Sequence, residues 1–302
     1  MKLAVKAALF ALACACLPAA HADDYDESGS PALRRIRETG TVTIGVREMA
    51  VPFSYYDGSH RAVGYSHAIA LRIVDAIRES LGMPSLTVRE VIVTPQTRSS
   101  LVQNGTIDFE CGATAHTRDR DAYMAFSNSI FEYGVRMLVK QGSPVKDFQD
   151  LAGRTVVTTA STSQERMLRQ WNAARGMNMT ILAAKSHAAS FDEVKNGRAV
   201  AFVMDEPLLY GAKATAPDPG GYAIVGAPTV FEVYACMFRR GDPALKQIAD
   251  DTIAKMQRSG EAAQLYRQWF ESPIPSRGIV LGLPMSARLK ELFDNPNDRP
   301  LD

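Results

Sequence analysis

Three charged residues stand where the sequence leaves a predicted strand or opens a predicted helix. Arg47 follows the alternating run Thr41–Val46, Arg98 opens a short helical run, and Asp205 ends an apolar run just before Glu206 and Pro207. His187 and the hydroxyl pair Thr162 and Ser163 sit at similar edges. A free amino acid brings a carboxylate and an ammonium, and burying either unpaired is expensive. Its carboxylate is met well by the bidentate fork of an arginine, and its ammonium by an acid. The N–H groups of a helix start, as at Thr162–Gln164, add donors for the carboxylate. Two arginines and a histidine against one aspartate leave a cation over, which suits a ligand with an acidic side chain. Each residue also has a plainer reading: surface arginines, a solvated His187, and Asp205 as the cap of the next helix.

Other chemistries find little support. The sequence has no G-x-S-x-G, H-E-x-x-H, P-loop or G-x-G-x-x-G pattern, and His60, His67, His116 and His187 lack metal-ligand spacing. No cofactor or metal is expected, and binding is favoured over catalysis. The alternative is a proton-abstracting lyase in which Asp205 or His187 serves as base.

The elements that must hold these residues come in pairs. LVQNGTIDFECGATAHT at Leu101–Thr117 returns in looser form as VKNGRAVAFVMDEP at Val194–Pro207. Each predicts a helix end, an Asn-Gly break suited to a left-handed turn, and a short strand running into polar residues. GTVTIGVRE at Gly40–Glu48 and GRTVVTTAS at Gly153–Ser161 form a second pair, each a glycine before a β-branched strand. Two copies of one plan predict two α/β lobes of like build, with ligands gathering at the carboxyl ends of the strands. Those ends carry Arg47, the stretch from Cys111 to Thr114, the stretch from Thr159 to Ser163, and Asp205. Between the pairs, Ser66 is expected to cap a helix on which Ile69, Ile73, Ile77 and Leu81 recur. A helix is expected over Ser190–Asn196, after a strand that ends near His187. Ile130–Lys140 is expected to cross out of the first lobe and Val230–Phe238 to return. The tail Ile279–Asp302 is expected to hold a short strand and one small helix. Lobe 1 is thus 33–132 plus 230–302, and lobe 2 is 133–229.

Met1–Ala22 reads as a secretory leader: Lys2 and Lys6 lead an apolar stretch, and Ala20-His21-Ala22 places cleavage after Ala22. That stretch is too short to span the ~30 Å of a bilayer core. Losing the leader leaves 280 of 302 residues and takes the formal net charge from +1 to −1. A near-neutral chain without a basic stripe argues against nucleic acid as a partner. Cys111 and Cys236 are the cysteines beyond the leader, and an oxidising compartment favours a disulfide over two free buried thiols.

Longer stretches then become recognisable. GVREMAVPFSYYDG, VGYS, LVQNGTIDFECG, MNM, AKSHAASF, NGRAVAFVMDEP, DDTIAKMQRSGEA and the closing PNDRPLD resemble the periplasmic glutamate/aspartate-binding proteins of ABC importers over nearly the whole chain. The resemblance implies a type II periplasmic-binding-protein fold, α/β in class, with two Rossmann-like lobes joined by two hinge crossings. It implies a Cys111–Cys236 disulfide in the larger lobe. By the same resemblance Arg98 takes the ligand's α-carboxylate, Arg47 and His187 its side-chain carboxylate, and Asp205 its ammonium, with Thr162 and Ser163 adding hydroxyls. Pro95, Ala113 and Ala115 depart from the family, which carries small hydroxyl residues there; backbone contacts at Ala113 can persist. The expected function is periplasmic capture of L-glutamate or L-aspartate and its delivery to an ABC permease by a monomeric carrier. The rival is a dehydratase-like enzyme acting on a small carboxylic acid on the same scaffold.

Overall fold

The computed structural model describes residues 29–274 and 277–301. The leader and its cleavage site lie outside the described residues. Helix α1 (Pro31–Thr39) starts on Ser30, whose hydroxyl accepts from Leu33 N–H, and ends on left-handed Gly40. Strand β1 (Thr41–Val46) follows, then a small antiparallel sheet of β2 (Met49–Ala50), β3 (Ser54–Tyr56) and β4 (Ala62–Val63). Next come α2 (Tyr65–Ser80), β5 (Thr87–Ile92), α3 (Arg98–Gln103), β6 (Phe109–Glu110), β7 (Ala115–His116) and α4 (Arg118–Asp121). The 17-residue β8 (Met124–Lys140) leads to β9 (Thr155–Thr159), α5 (Ser163–Arg175), β10 (Thr180–Ala184) and α6 (His187–Lys195). After these run β11 (Ala201–Asp205), α7 (Glu206–Ala214), β12 (Tyr222–Val225) and β13 (Phe231–Arg239). Helices α8 (Pro243–Arg258), α9 (Glu261–Tyr266) and α10 (Ala287–Asp294) close the chain. Among the described residues, no helix is long and apolar enough to cross a membrane.

The sheet order β10-β9-β11-β8-β13-β6-β1-β5 makes the repetition physical. In one group β1 lies between β5 and β6, and in the other β9 lies between β10 and β11, all parallel. The two Asn-Gly breaks fall at the same place in each group, between helix and third strand, and Gly105 and Gly197 take φ of 76° and 74° there. Strand β8 joins the groups. Its residues 124–134 pair antiparallel with β13, and its residues 135–140 pair with β11 and β12. The carboxyl ends of β1, β6, β9 and β11 therefore face a common space beside β8 and β13.

Three local expectations are corrected. Helix α2 starts at Tyr65 with Gly64 at its cap and no capping side chain; the Ser66 hydroxyl instead donates to Gly112 O at 2.9 Å. Helix α6 starts at His187, three residues earlier than expected, because Ser186 Oγ accepts from Ala189 N–H. No strand forms after Ile279 among the described residues. Leu281 is inserted into the core while Val280 is half exposed.

The core beside the sheet junction is aromatic. The Phe53 ring stands edge-on to Phe131 at 5.0 Å and to Tyr234 at 4.9 Å, and it tilts against Phe270 at 5.5 Å. Such pairs add about 0.5–1.5 kcal/mol each beyond their area burial. They fix the segment after β1 against β8, β13 and the helical turn Arg267–Glu271 that follows α9. Cys111, just past β6, is bonded to Cys236 on β13, closing a separation of 125 residues. In the chain-entropy view a loop of that length is worth about 4–5 kcal/mol. Replacing both cysteines with serine should lower the unfolding free energy by that order in denaturant titrations; a loss below about 1 kcal/mol would contradict it.

Candidate functional site

Arg47 emerges directly from β1, its backbone N–H donating to Ser54 Oγ at 2.9 Å. Arg98 is the first residue of α3, and its Nη1 donates to Ala113 O at 3.0 Å and to Thr114 Oγ1. The Thr114 hydroxyl donates in turn to Glu110 Oε2. Arg120, in α4, donates to Ala115 O at 2.6 Å. These side chains meet in a narrow cleft. One wall is Arg47, Pro95, Arg98, Ala113, Ala115 and Arg120; the other is Thr162, Ser163, Gln164, His187, Met204 and Asp205. All eight predicted site residues (Arg47, Arg98, Ala113, Ala115, Thr162, Ser163, His187 and Asp205) thus line one space. The three guanidinium groups are buried, with 6%, 3% and 7% exposure for Arg47, Arg98 and Arg120.

Asp205 stands at the N-cap of α7 but makes no capping bond, which removes the plainer reading of its role. Its Oδ2 accepts from the Tyr234 hydroxyl, and its Oδ1 is buried without a hydrogen-bond partner. Burial and the neighbouring Glu232 carboxylate push its pKa well up; the Tyr234 hydrogen bond and the charges of Arg98 and Arg120 oppose this. Opposite it, Arg47 Nη1 is likewise buried without a partner. Burial pulls Arg47 down from its ordinary pKa, against the pull of Glu110, Tyr234 and Asp205. Burial, with Arg120 and Arg47 nearby, lowers Arg98 to about 9, still charged at neutral pH.

His187 is neutral and fixed in one tautomer. A guanidinium only donates, so the contact of Arg47 Nη2 with His187 Nε2 at 3.4 Å makes Nε2 the acceptor. The proton therefore sits on Nδ1, 2.8 Å from Thr159 Oγ1, and Thr159 in turn contacts Ser190 Oγ at 2.9 Å. Burial first, then the Arg47 and Arg98 charges, hold its pKa well below the ordinary 6.5. The hydroxyls of Thr162 and Ser163 are engaged within the protein. Thr162 Oγ1 donates to Thr159 O at 2.7 Å and accepts from Glu165 N–H, and Ser163 Oγ donates to Glu232 Oε2 at 2.7 Å. The start of α5 therefore offers the cleft its backbone N–H groups rather than side chains.

Sequence reasoning missed Arg120, Glu232 and Tyr234, and named Gln164 only for its backbone N–H. Glu232 Oε2 gathers three donors: Tyr133 Oη, Ser163 Oγ and Gln164 Nε2, at 2.7–2.8 Å. Arg120 lies in a run of alternating charges, T-R-D-R-D, that reads as a solvated face. Glu232 and Tyr234 had a usable signal, two polar residues at strand period in an otherwise apolar strand. Among the described residues, no three His, Cys, Asp or Glu side chains gather to hold a metal ion.

A strand order repeated on two sides of a long shared strand, enclosing a cleft of buried charge, defines the type II periplasmic-binding fold. Residues 42–272 match the model of the bacterial extracellular solute-binding proteins, family 3, and the chain belongs to that family. It is 46% identical over 268 residues to the L-glutamate/L-aspartate-binding protein of Pseudomonas aeruginosa, covering 88% of this chain and 89% of that one. It is 43% identical to the glutamate/aspartate import solute-binding protein of Escherichia coli, covering 94% of each. Among solved structures, a mutant of ArgBP from T. maritima superposes with a TM-score of 0.71 at 22% identity, covering 80% of this chain and all of that one, a likeness of fold.

The buried imidazole makes stability depend on pH. Its folded pKa is lowered, so below 6.5 the unfolded chain binds a proton that the folded one refuses. Stability is thus present above that pH and falls as pH drops below it, by up to about 1.4 kcal/mol per unit from this group. Denaturant midpoints measured from pH 7 to pH 5 should fall less steeply for His187→Gln than for wild type; parallel profiles would contradict a neutral buried His187.

Proposed function

We propose that this protein captures L-glutamate or L-aspartate in the cleft and delivers it to the membrane subunits of an ABC importer. One observation carries the reading: Arg47 Nη1 and Asp205 Oδ1, opposite in charge, are buried and unpartnered in a space that also holds Arg98. A ligand with two carboxylates and an ammonium satisfies all three. In this reading Arg98 and the start of α5 take the α-carboxylate, Asp205 Oδ1 the ammonium, and Arg47 the side-chain carboxylate, with His187 holding Arg47 in place. The family membership and the names of its relatives in Pseudomonas aeruginosa and Escherichia coli support the same ligand class.

The units that close on the ligand are 33–132 with 230–302, and 133–229. Binding biases their hinge equilibrium toward the closed form. The protein works as a monomeric carrier in the periplasm, after cleavage of its leader following Ala22, and turns over no substrate. Pro95, Ala113 and Ala115 offer no side-chain hydroxyls, so affinity rests on the charged frame; each neutral hydrogen bond forgone is worth about 0.5–1.5 kcal/mol.

Titration calorimetry on ligand-free protein tests the reading. Wild type should bind one or both acidic amino acids, and no heat with either would defeat the proposal. Arg98→Ala should lose about 3–5 kcal/mol of binding, because a carboxylate is then buried without its partner. Wild-type affinity in that variant would remove Arg98 from the site.

A further inference from the structure

We infer that Gly211 sets how far the cleft closes: lacking a side chain, it lets α7 approach the Val51 carbonyl closely enough for Asp205 and Arg47 to grip one ligand. The inference rests on the closure of two units proposed above, since Val51 falls in the first and Gly211 in the second. Gly211 is buried in the interior of α7, whose N-cap is Asp205. Its φ is not among the positive ones, so no backbone requirement calls for glycine. In a helix interior glycine is less stable than alanine, so its presence there needs another reason. A Cβ at this position would lie 2.2 Å from Val51 O and 3.0 Å from Val51 C, distances that force one side to move.

Val51 cannot give way easily. It stands four residues after Arg47 and two before Phe53, whose ring is held among Phe131, Tyr234 and Phe270. The helix must yield instead, backing off by about 1 Å and taking Asp205 with it. A cavity of about 260 Å³ adjoins the contact, lined by Met49, Val51, Phe191, Leu208, Ala212 and Pro217 among others. The units thus meet at Gly211 through the backbone of Val51. Other links across the gap, Gln96 Nε2 to Ala160 O at 2.9 Å and Arg166 to Asp119 at 3.1 Å, run through flexible side chains able to follow a small shift. Gly211 is therefore a positioning residue that acts through Asp205.

The test is Gly211→Ala beside a control, Ala212→Gly, the next residue of the same helix. In Gly211→Ala the melting temperature of ligand-free protein should hold or rise. Its affinity for L-glutamate should fall about tenfold to a hundredfold, and saturating ligand should reduce the radius of gyration less than in wild type. Ala212→Gly should do the reverse, melting lower with affinity unchanged. If Gly211→Ala binds and compacts like wild type, or loses affinity only together with stability, the inference is overturned. Should wild type bind neither acidic amino acid, the ligand reading fails and ligand-free hydrogen exchange decides this point. Amides of 49–53 less protected in Gly211→Ala than in wild type would support the contact; equal protection would overturn it.

Discussion

A charged group taken out of water must find an opposite charge or a set of hydrogen bonds, and this protein leaves two such obligations open on facing walls of one cleft. Arg47 Nη1 and Asp205 Oδ1 are buried and unpartnered, and Glu110, the nearest negative charge to Arg47, also keeps one oxygen, Oε1, without a partner. Isolated buried charges cost several kcal/mol each. Structural ion pairs resolve that cost internally, as Arg35 and Asp108 do. The proposed ligand would resolve the open pair from outside, with an anion for one wall and a cation for the other.

Much of the remaining structure keeps those two groups where they are. Strand β13 does so with alternating residues, Glu232 gathering the start of α5 and Tyr234 holding one oxygen of Asp205 so that the other stays available. Two residues further on, Cys236 ties the same strand to the loop between β6 and β7 that carries Ala113. On the Arg47 side, Phe53 locks the following segment into the aromatic core, and His187 accepts from one guanidinium nitrogen, leaving the other for the cleft. Strand β8 pairs with both strand groups, so the two walls are set by one continuous element.

The doubled plan was legible from sequence because it depends on local signals: Asn-Gly breaks, β-branched strands and helix starts. Arg47, Arg98, Thr162, Ser163, His187 and Asp205 were legible because charged and hydroxyl residues at strand ends and helix starts stand out, whereas Ala113 and Ala115 were placed only by the family resemblance. Arg120 was hidden in a charge run, since only the fold shows that a side chain from a four-residue helix turns inward to Ala115 O. Glu232 and Tyr234 sat in a strand read for its cysteine alone. Ser66 misled because a good capping residue follows Gly64, whose φ of 135° already turns the chain into the helix. His187 was read as a loop residue because Ser186, one position upstream, is the cap that starts its helix. The apolar run after Ile279 has strand composition, but its Leu281 packs into the core without strand pairing, which composition does not report.

The central claim is that Asp205 waits for a cation carried by an acidic ligand. It is tested most directly by comparing, by calorimetry, L-glutamate with glutarate, the same chain of atoms without the ammonium. The account predicts that wild type prefers L-glutamate by about a hundredfold or more, because glutarate leaves Asp205 buried and unpaired. It also predicts that Asp205→Asn narrows the gap. Equal affinity for the two in wild type would contradict the assignment of Asp205.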